Sequence, residues 1–243
     1  MKSIKQRRRQ LVGKVLRIIA IVLVGGLLLV GIIVSSSTKA PTDPIWDTAT
    51  IMGNPEAKNH YHTNTDVTCP YCLAFEYALI QNEEEFKKDY IEKKNIVYEV
   101  RVSDFLYQYG EHPTDASREG AEAIFCAKNE GKFWDYYNHV VVKLWETYFK
   151  NGIQIGAMAK LDKSYWKKLG EEVGLGETFN NCVENDETLD AVIESTEKTL
   201  TTFHKEGAGG MPYFKFNSTT KNGFSLDWGW DYVKYFLDSG IKK

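Results

Sequence analysis

The stretch Thr68-Cys69-Pro70-Tyr71-Cys72 decides how this sequence is interpreted. Two cysteines are separated by a Pro-Tyr pair and are followed at once by a helix-compatible run that begins Leu-Ala-Phe. If Cys69 lies at the N-terminus of this helix, free backbone N–H groups and the helix dipole both favour its thiolate, the nucleophilic form of sulfur. Cys72 follows one helical turn later, which is close enough to form a disulfide with Cys69.

The segments on either side of this motif predict an α/β unit. Residues 59–65 lie where a strand must lead into the first cysteine, although they are far more polar than a central strand usually is. A helical pattern follows to about residue 94, and residues 95–102 alternate apolar and polar side chains as a half-buried strand does. Strand, helix and strand in this order are typical of an α/β fold.

The second half of the chain changes from helical to strand-like character. Residues 111–206 are predicted to be almost entirely helical, with apolar stripes at steps of three and four residues. The glycine-rich run 207–210 then leads into a strand opened by a proline, 211–217. After a turn, 224–228 is expected to be a return strand and 230–239 a closing helix.

The N-terminus predicts a membrane anchor. Residues 1–17 carry seven lysines and arginines and no acid, and residues 18–34 are an uncharged apolar run of 17 residues. This length is near the lower limit for a transmembrane helix, and the basic flank should stay in the cytoplasm. We therefore expect a signal-anchor at 18–34, a linker at 35–50 and an extracytoplasmic domain after it. A cleaved signal peptide is the alternative.

Composition and charge limit the kinds of protein this chain can be. Its 243 residues are 43% hydrophobic, which is enough for one buried core. Beyond the basic N-terminus, 23 lysines and arginines stand against 33 aspartates and glutamates, which argues against a nucleic-acid partner. Four cysteines, an even number in a domain predicted to be exported, are compatible with two disulfides.

A single Cys-x-x-Cys motif has three interpretations: a redox pair, half of a zinc site, or a structural pair. A structural zinc site needs further closely spaced ligands, whereas Cys126 and Cys182 stand 56 residues apart without a second such motif. His60 and His62 lie just upstream and share one face of the predicted strand. A metal site formed by these histidines with the motif cysteines therefore stays open as an alternative.

Four blocks of sequence together resemble the DsbA-like branch of the thioredoxin superfamily, over roughly residues 52–241. The blocks are Gly53 to Lys58, Asp66 to Cys72, Ala121 to Trp134 and Gly210 to Asn217. The resemblance implies a thioredoxin-like α/β fold with an inserted α-helical domain, preceded by the one transmembrane helix. The expected parts are 51–110, which carries the active site, the helical insertion 111–206, and 207–243, which carries a cis-proline strand.

The resemblance also implies roles for the residues of the motif. Cys69 would be the exposed nucleophile that forms a mixed disulfide with a client protein, and Cys72 the more buried resolving thiol. Pro70 and Tyr71 would tune how strongly the Cys69 thiolate is stabilised.

Three further expectations come from the resemblance. Pro212 would be cis and would hold the backbone of Met211 beside the cysteines, where an extended client segment can pair with it. Cys126 and Cys182 resemble a second, structural disulfide, for which two separate buried thiols are the alternative. Thr63 departs from the family, which often has a buried acid six residues before the first cysteine. Proton transfer to the resolving thiol should therefore use water or another group.

The sequence thus predicts a membrane-anchored protein thiol:disulfide oxidoreductase that introduces disulfides into exported proteins through Cys69 and Cys72. Its clients would be reduced or unfolded exported proteins, and its catalytic domain would lie outside the cytoplasm on a single-pass anchor in the cell membrane. The resemblance implies a quinone-linked integral-membrane reoxidant, DsbB-like or VKOR-like. No metal and no cofactor beyond the redox-active cysteine pair are expected.

Three other functions stay open. A disulfide isomerase or reductase of the same fold differs only in partner and redox poise, which the Pro-Tyr pair does not decide. A metal-binding chaperone would use His60, His62, Cys69 and Cys72. A client-binding module with an incidental dithiol is the third.

Overall fold

The computed structural model describes residues 48–108, 115–152, 154–158 and 161–241. The predicted basic segment, the anchor at 18–34 and all but the end of the linker lie outside these ranges. No helix within the described part of the chain is both long enough and apolar enough to cross a membrane.

A five-stranded mixed sheet forms the centre of the fold. Its strands are β1 (Thr50–Met52), β2 (Asn59–Thr65), β3 (Ile96–Val102), β4 (Tyr213–Phe216) and β5 (Thr219–Asn222). They lie side by side in the order β1-β3-β2-β4-β5, so that β2 is central. β2 and β3 are parallel, and the other three pairs are antiparallel. The polar segment before the cysteine motif is therefore a regular strand with a partner on each side.

Helices make up most of the remaining described residues. They are α1 (Pro70–Ile80), α2 (Glu83–Glu85), α3 (Phe105–Gln108), α4 (Ala116–Asn129), α5 (Phe133–Leu144), α6 (Ile155–Met158), α7 (Lys163–Glu172), α8 (Glu177–Glu184), α9 (Leu189–Glu206) and α10 (Trp230–Gly240). Two of them continue into π-helical turns, Phe86–Glu92 after α2 and Trp145–Phe149 after α5. The predicted α/β class is confirmed, and the predicted part boundaries at 110 and 206 stay a prediction.

One face of the sheet carries an aromatic core. The ring of Tyr61, in the middle of β2, lies 5.5 Å from the rings of Tyr98 and Phe216 and 6.1 Å from that of Phe75 on α1. Phe236 of α10 closes the cluster at 5.8 Å from Tyr61. Aromatic pairs of this kind add about 0.5–1.5 kcal/mol each beyond the area that they bury. This packing fixes α1, and with it the cysteine motif, against the central strand.

The opposite face of β2 is polar and is covered by α9. The hydroxyl of Thr199 donates to the amide oxygen of Asn64 at 3.0 Å, and Arg101 on β3 donates to the hydroxyl of Thr202 at 3.2 Å. All four residues are buried. Burying a polar group costs free energy unless it is hydrogen-bonded, and the hydroxyls of α9 supply a partner for the amide oxygen of Asn64 and for Arg101. This explains how so polar a segment becomes the central strand.

The second hairpin differs from the prediction. We expected 224–228 to be the return strand, but the strand that pairs with β4 is β5, and 224–228 is not a strand. The turn between β4 and β5 consists of only Asn217 and Ser218. Asn217 has a φ of 51°, in the left-handed region that asparagine tolerates better than most residues. Its side chain also donates to the backbone oxygen of Gly240 at 2.8 Å, which links this turn to α10.

A disulfide joins Cys126 on α4 to Cys182 on α8, with an S–S distance of 2.02 Å. Buried side chains of neighbouring helices surround this part of the fold. The hydroxyl of Tyr136 on α5 donates to the backbone oxygen of Trp166 on α7 at 2.9 Å, and its ring lies 5.1 Å from that of Phe179 on α8. The helices α4, α5, α7 and α8 therefore pack against one another, in a core that is continuous with the aromatic face of the sheet.

Candidate active site

Cys69 caps the N-terminus of α1. Its backbone is extended, with φ −82° and ψ 115°, and Pro70 begins the helix at a position where a backbone N–H would lack an intrahelical partner. The sulfur of Cys69 accepts a hydrogen bond from the backbone N–H of Cys72 at 3.4 Å. The first turn of α1 contains no acidic side chain. The helix N-terminus therefore stabilises a negative charge on Cys69, and no carboxylate within that turn opposes it.

Cys72 lies on the inner side of α1. Its side chain is fully buried, whereas Tyr71, between the two cysteines, is 43% exposed. Cys69 is also buried, at 4% exposed, so the expectation of an exposed nucleophile is wrong: the helix cap and its neighbours cover Cys69 except where it lines a groove. Burial raises the pKa of the Cys72 thiol well above its usual range, and the hydrogen bond with Cys69 and the charge on Asp66 act in the same direction. Both cysteines are free thiols in this structure. Cys72 therefore keeps its proton, and its backbone N–H is directed at the sulfur of Cys69.

Asp66 fixes the loop between β2 and α1. One carboxylate oxygen accepts from the N–H and from the hydroxyl of Thr68, both at 2.8 Å. The other accepts from the N–H of Leu106 at 2.9 Å and from the hydroxyl of Ser117 at 2.6 Å. Burial raises the pKa of the Asp66 carboxyl, although these hydrogen bonds oppose the shift. One buried side chain thus holds the motif loop, α3 and α4 together.

Glu76 is a second buried acid, one turn after Cys72 on α1. The hydroxyl of Tyr98 lies 2.8 Å from each of its carboxylate oxygens. Burial raises the pKa of Glu76 to about 8, while the hydrogen bond from Tyr98 and the nearby hydroxyl of Tyr137 oppose the shift. Burial raises the pKa of Tyr137 well above its usual range, and the neighbouring Glu76 and Cys72 act in the same direction, so the hydroxyl of Tyr137 lies near both groups. At neutral pH the redox helix therefore carries a protonated carboxyl group on its inner side.

A groove of about 730 Å³ opens at Cys69. It is lined by Cys69, Pro70, Tyr71, Phe105, Leu106, Leu200, Thr201, Phe203, His204, Ala208, Gly209, Gly210 and Met211. The peptide bond between Met211 and Pro212 is cis, and Pro212 leads directly into β4, the neighbour of β2. Met211 packs against the apolar cluster that contains both cysteines. The fold thus brings the Cys-Pro-Tyr-Cys motif and the Met-Pro segment together although they are far apart in sequence.

The histidines of the metal-chaperone alternative do not join the cysteines. Within the described ranges, His60 and His62 instead form a cluster with Glu99 of β3, in which one ligand atom from each residue lies within 4.8 Å of the others. Because β2 is extended, the rest of the strand and the Asp66 loop separate His62 from Cys69. The structure therefore does not assemble the four-ligand set of this alternative.

A family model described as thioredoxin matches residues 46–220. The chain belongs to the thioredoxin family. No curated protein matches the sequence.

Several solved structures are similar to this thioredoxin-family protein. Oxidised BdbD from Bacillus subtilis has a TM-score of 0.59 and 16% identity, over 81% of this chain and 94% of BdbD. A thioredoxin-like oxidoreductase from Silicibacter pomeroyi DSS-3 has a TM-score of 0.57 and 18% identity, over 82% of this chain and 96% of its own. The thiol-disulfide exchange protein α-DsbA2 from Wolbachia pipientis has a TM-score of 0.55 and 16% identity, over 80% of this chain and 89% of its own. These similarities show that this thioredoxin-family protein has the DsbA-like fold.

Sequence reasoning missed the two buried acids as parts of the site. The sequence-based prediction assigns no role to Asp66, which lies within the motif block. It treats Glu76 only as one residue of a helical run. The position of Glu76, four residues after Cys72 and on the same face of an otherwise apolar helix, is the signal that could have found it. Thr63, the expected place for a buried acid, is itself fully buried. The carboxyl group near the resolving cysteine is thus supplied by the helix and by the loop, not by the strand.

Proposed function

We propose that this protein introduces disulfides into exported client proteins through a disulfide between Cys69 and Cys72. The observation that supports this most directly is the difference between the two cysteines. Both are buried, but Cys69 caps the helix and lines the groove, whereas Cys72 is completely covered and does not line it. A client thiolate that enters the groove meets the sulfur of Cys69 and not that of Cys72.

The first step is attack of the client thiolate on Cys69 in the Cys69–Cys72 disulfide. A bond forms between the client sulfur and Cys69, and the bond between Cys69 and Cys72 breaks. Cys72 leaves with the electron pair and takes up a proton, because its buried thiol has a pKa well above the usual range. Protonation prevents Cys72 from attacking back and leaves the mixed disulfide in the groove.

The second step releases the client with its new disulfide. A second client thiolate attacks the client sulfur of the mixed disulfide, and Cys69 leaves as a thiolate at the helix N-terminus. The client has lost two electrons, and the cysteine pair has gained them. The redox step itself needs neither a metal nor an organic cofactor.

The surroundings of Cys69 favour electron flow from the client to this protein. The helix N-terminus and the backbone N–H of Cys72 both stabilise the Cys69 thiolate. Stabilising the thiolate stabilises the reduced protein relative to its disulfide, and each tenfold gain raises the reduction potential by about 30 mV. The protein is therefore expected to act as an oxidant of client thiols.

The predicted anchor at 18–34 would place this chemistry outside the cytoplasm, where disulfides persist. One of the similar structures is described as a periplasmic thioredoxin-like protein from Salmonella enterica serovar Typhimurium, which agrees with this location. Turnover requires a partner that removes two electrons from the reduced pair. We propose a quinone-linked integral-membrane protein, DsbB-like or VKOR-like, for this role.

Disulfide transfer to a reduced, unfolded ribonuclease tests the proposal. Oxidised full-length protein in detergent is mixed with the ribonuclease in equal amounts, and the free thiols are counted over time. We expect two ribonuclease thiols to be lost per protein molecule. Cys69→Ser should abolish the transfer, whereas a Cys126→Ala/Cys182→Ala variant should retain it because that disulfide lies on α4 and α8. The proposal fails if the Cys69→Ser variant behaves like the wild type.

Equilibration with glutathione buffers separates an oxidase from an isomerase or reductase of the same fold. We expect a potential nearer to that of DsbA, about −120 mV, than to that of thioredoxin, about −270 mV. A value close to that of thioredoxin would assign the protein to the reductases, even if a single turnover of disulfide transfer succeeds.

A further inference from the structure

Two histidines and one glutamate meet on the polar face of the sheet, away from the cysteines. His60 and His62 are two residues apart on β2, so their side chains leave the same face of the strand. Glu99 on β3 is the direct neighbour of His62 in the parallel register. The side chains of His62 and Glu99 are each about 10% exposed, whereas that of His60 is 39% exposed.

The three side chains point at one another. The Nδ1 atom of His60 lies 3.4 Å from Oε1 of Glu99, and Nδ1 of His62 contacts Oε2 of the same carboxylate. One ligand atom of each residue lies within 4.8 Å of the other two. A tetrahedral ion with bonds of about 2.0–2.1 Å places its ligand atoms about 3.4 Å apart. The separation between His60 and Glu99 already has this value, whereas His62 and Glu99 are in direct contact and have to move apart when an ion enters.

The backbone holds His60 in place independently of its imidazole ring. The backbone N–H of His60 donates to the side-chain oxygen of Asn217 at 3.1 Å, and the N–H of Asn217 donates to the backbone oxygen of His60 at 2.9 Å. The backbone of His60 is therefore held by the β4–β5 turn. His62 is held by the strands that pair with β2 on both sides. Ligands on rigid strands lose little freedom when an ion binds, which favours binding.

We infer that His60, His62 and Glu99 form a binding site for a late first-row divalent metal ion, with Zn²⁺ as the ion that the ligands fit best. Two imidazoles and one carboxylate suit Zn²⁺ and Cu²⁺, whereas Ca²⁺ and Mg²⁺ take oxygen ligands. Three protein ligands leave a fourth position on the partly exposed side, next to His60. The site does not depend on the proposed redox function, because neither cysteine takes part.

Two cations border the cluster and set its affinity. Lys215 on β4 faces His62 across the antiparallel pair, and its ammonium group binds the carboxylate of Glu206 at 2.7 Å. Arg101 follows Glu99 by two residues on β3 and donates to the hydroxyl of Thr202 at 3.2 Å. Their positive charges weaken the binding of a divalent ion, so removing one of them should strengthen it.

Metal titration of a full-length Cys69→Ser/Cys72→Ser variant in detergent tests the inference, because this variant has no dithiol to bind the metal. Zn²⁺ is titrated by calorimetry, and Co²⁺ is used as a visible-absorbing substitute. We expect one ion per chain, with absorption typical of a tetrahedral site. His60→Ala and Glu99→Gln, added to this background, should each weaken binding by at least about 100-fold, more than the loss of an outer-shell partner.

Two matched variants make the test specific. His139→Ala removes a partly exposed histidine that pairs with Glu172 on α7, and it should leave the affinity unchanged. Lys215→Met should strengthen Zn²⁺ binding by about fivefold, the effect of one unit charge on a divalent ion at about 8 Å in water. Far-UV circular dichroism checks that each variant is folded, and His60→Ala keeps the backbone bonds to Asn217.

Several results would overturn the inference. One is the absence of Zn²⁺ binding in the variant without Cys69 and Cys72, which would place any metal of the wild type at the dithiol. Another is binding that His60→Ala and Glu99→Gln leave unchanged. A third is equal affinity for Ca²⁺ or Mg²⁺, which two imidazole ligands do not explain.

Discussion

The hydroxyl of Tyr98 lies 2.8 Å from both carboxylate oxygens of Glu76, and both residues are buried between the redox helix α1 and strand β3. A carboxyl group with a raised pKa at this place links the stability of the fold to pH. The pKa of Glu76 is about 8 in the folded protein, against an ordinary value of 4.5. The folded state therefore binds this proton more tightly than the unfolded state does.

Glu76→Gln should remove a pH dependence of stability. In the wild type the stabilising contribution of the protonated group is fully present below about pH 4.5 and is lost as the pH rises through about 8. The whole effect is at most about 5 kcal/mol. We expect Glu76→Gln to be close to the wild type at pH 5 and more stable than it at pH 8.5, by a few kcal/mol.

Urea denaturation at both pH values measures this difference. The protein is kept oxidised at Cys69 and Cys72, so that neither thiol titrates. Glu92→Gln, at an exposed glutamate, is the matched control and should change stability by the same small amount at both pH values. An equal effect of Glu76→Gln at pH 5 and pH 8.5 would contradict the assignment of a raised pKa to Glu76.

The two motif cysteines should differ in their reaction with iodoacetamide. Cys72 is fully buried and its pKa is well above the usual range, whereas Cys69 lines the groove. In reduced protein at pH 7 we expect alkylation at Cys69, with Cys72 reacting at least about tenfold more slowly. Mass spectrometry of the digested protein locates the label, and Cys126 and Cys182 serve as unreactive internal references. Equal labelling of both motif cysteines would contradict the proposed roles.

Removing the Cys126–Cys182 disulfide should destabilise the fold without stopping the redox reaction. The bond closes a loop of 56 residues, and the chain-entropy relation gives about 4 kcal/mol for a loop of this length. We expect the Cys126→Ala/Cys182→Ala variant to lose roughly this amount in urea denaturation. Disulfide transfer at a temperature where the variant is folded should equal that of the wild type. A loss below about 1 kcal/mol would show that the loop is already restricted in the unfolded chain.

Gly120 on α4 is packed too closely to accept a side chain. A Cβ atom there would lie 2.8 Å from a methyl group of Val67 and 2.9 Å from the buried ring of Trp166. We expect Gly120→Ala to destabilise the protein by about 1–3 kcal/mol, as overpacking of a core does. Gly156→Ala is the matched control, because a Cβ atom on α6 has no neighbour within 4 Å among the described residues. It should be neutral or stabilise the helix by up to about 1 kcal/mol. Equal midpoints for the two variants in urea would contradict this account.

Sequence reasoning reached the fold class because the relevant signals are local. A Cys-x-x-Cys motif before an apolar helical run, the alternating strand Ile96–Val102 and the Met-Pro segment each carry their own pattern. The polar strand β2 had no such pattern. Its burial depends on hydrogen bonds from the hydroxyls of α9, a helix that lies more than 120 residues later in the chain. The sequence around β2 does not reveal so distant a partner.

The parts of the site that the sequence did not predict also depend on contacts between distant segments. Glu76 and Tyr98 are brought together only when α1 packs on the sheet, and Asp66 meets Ser117 only when α4 does. His60 and His62 share a face by the period of the strand, but the identity of their third neighbour, Glu99, depends on the register of β2 against β3. The position of the return strand was wrong because the two-residue turn at Asn217 ends the hairpin earlier than the composition of 218–223 suggests.

The polarity of β2 has a consequence for the chain before it folds. Central strands are usually the most apolar segments of a sheet, and exposed apolar segments with a high β-propensity and no charge are the ones that start aggregation. In Asn59–Thr65 the one large hydrophobic side chain is that of Tyr61. This segment therefore exposes few apolar groups that another unfolded chain could bind. If the protein acts on unfolded clients as proposed, it carries, at the centre of its own sheet, a strand with little tendency to aggregate while it is unfolded.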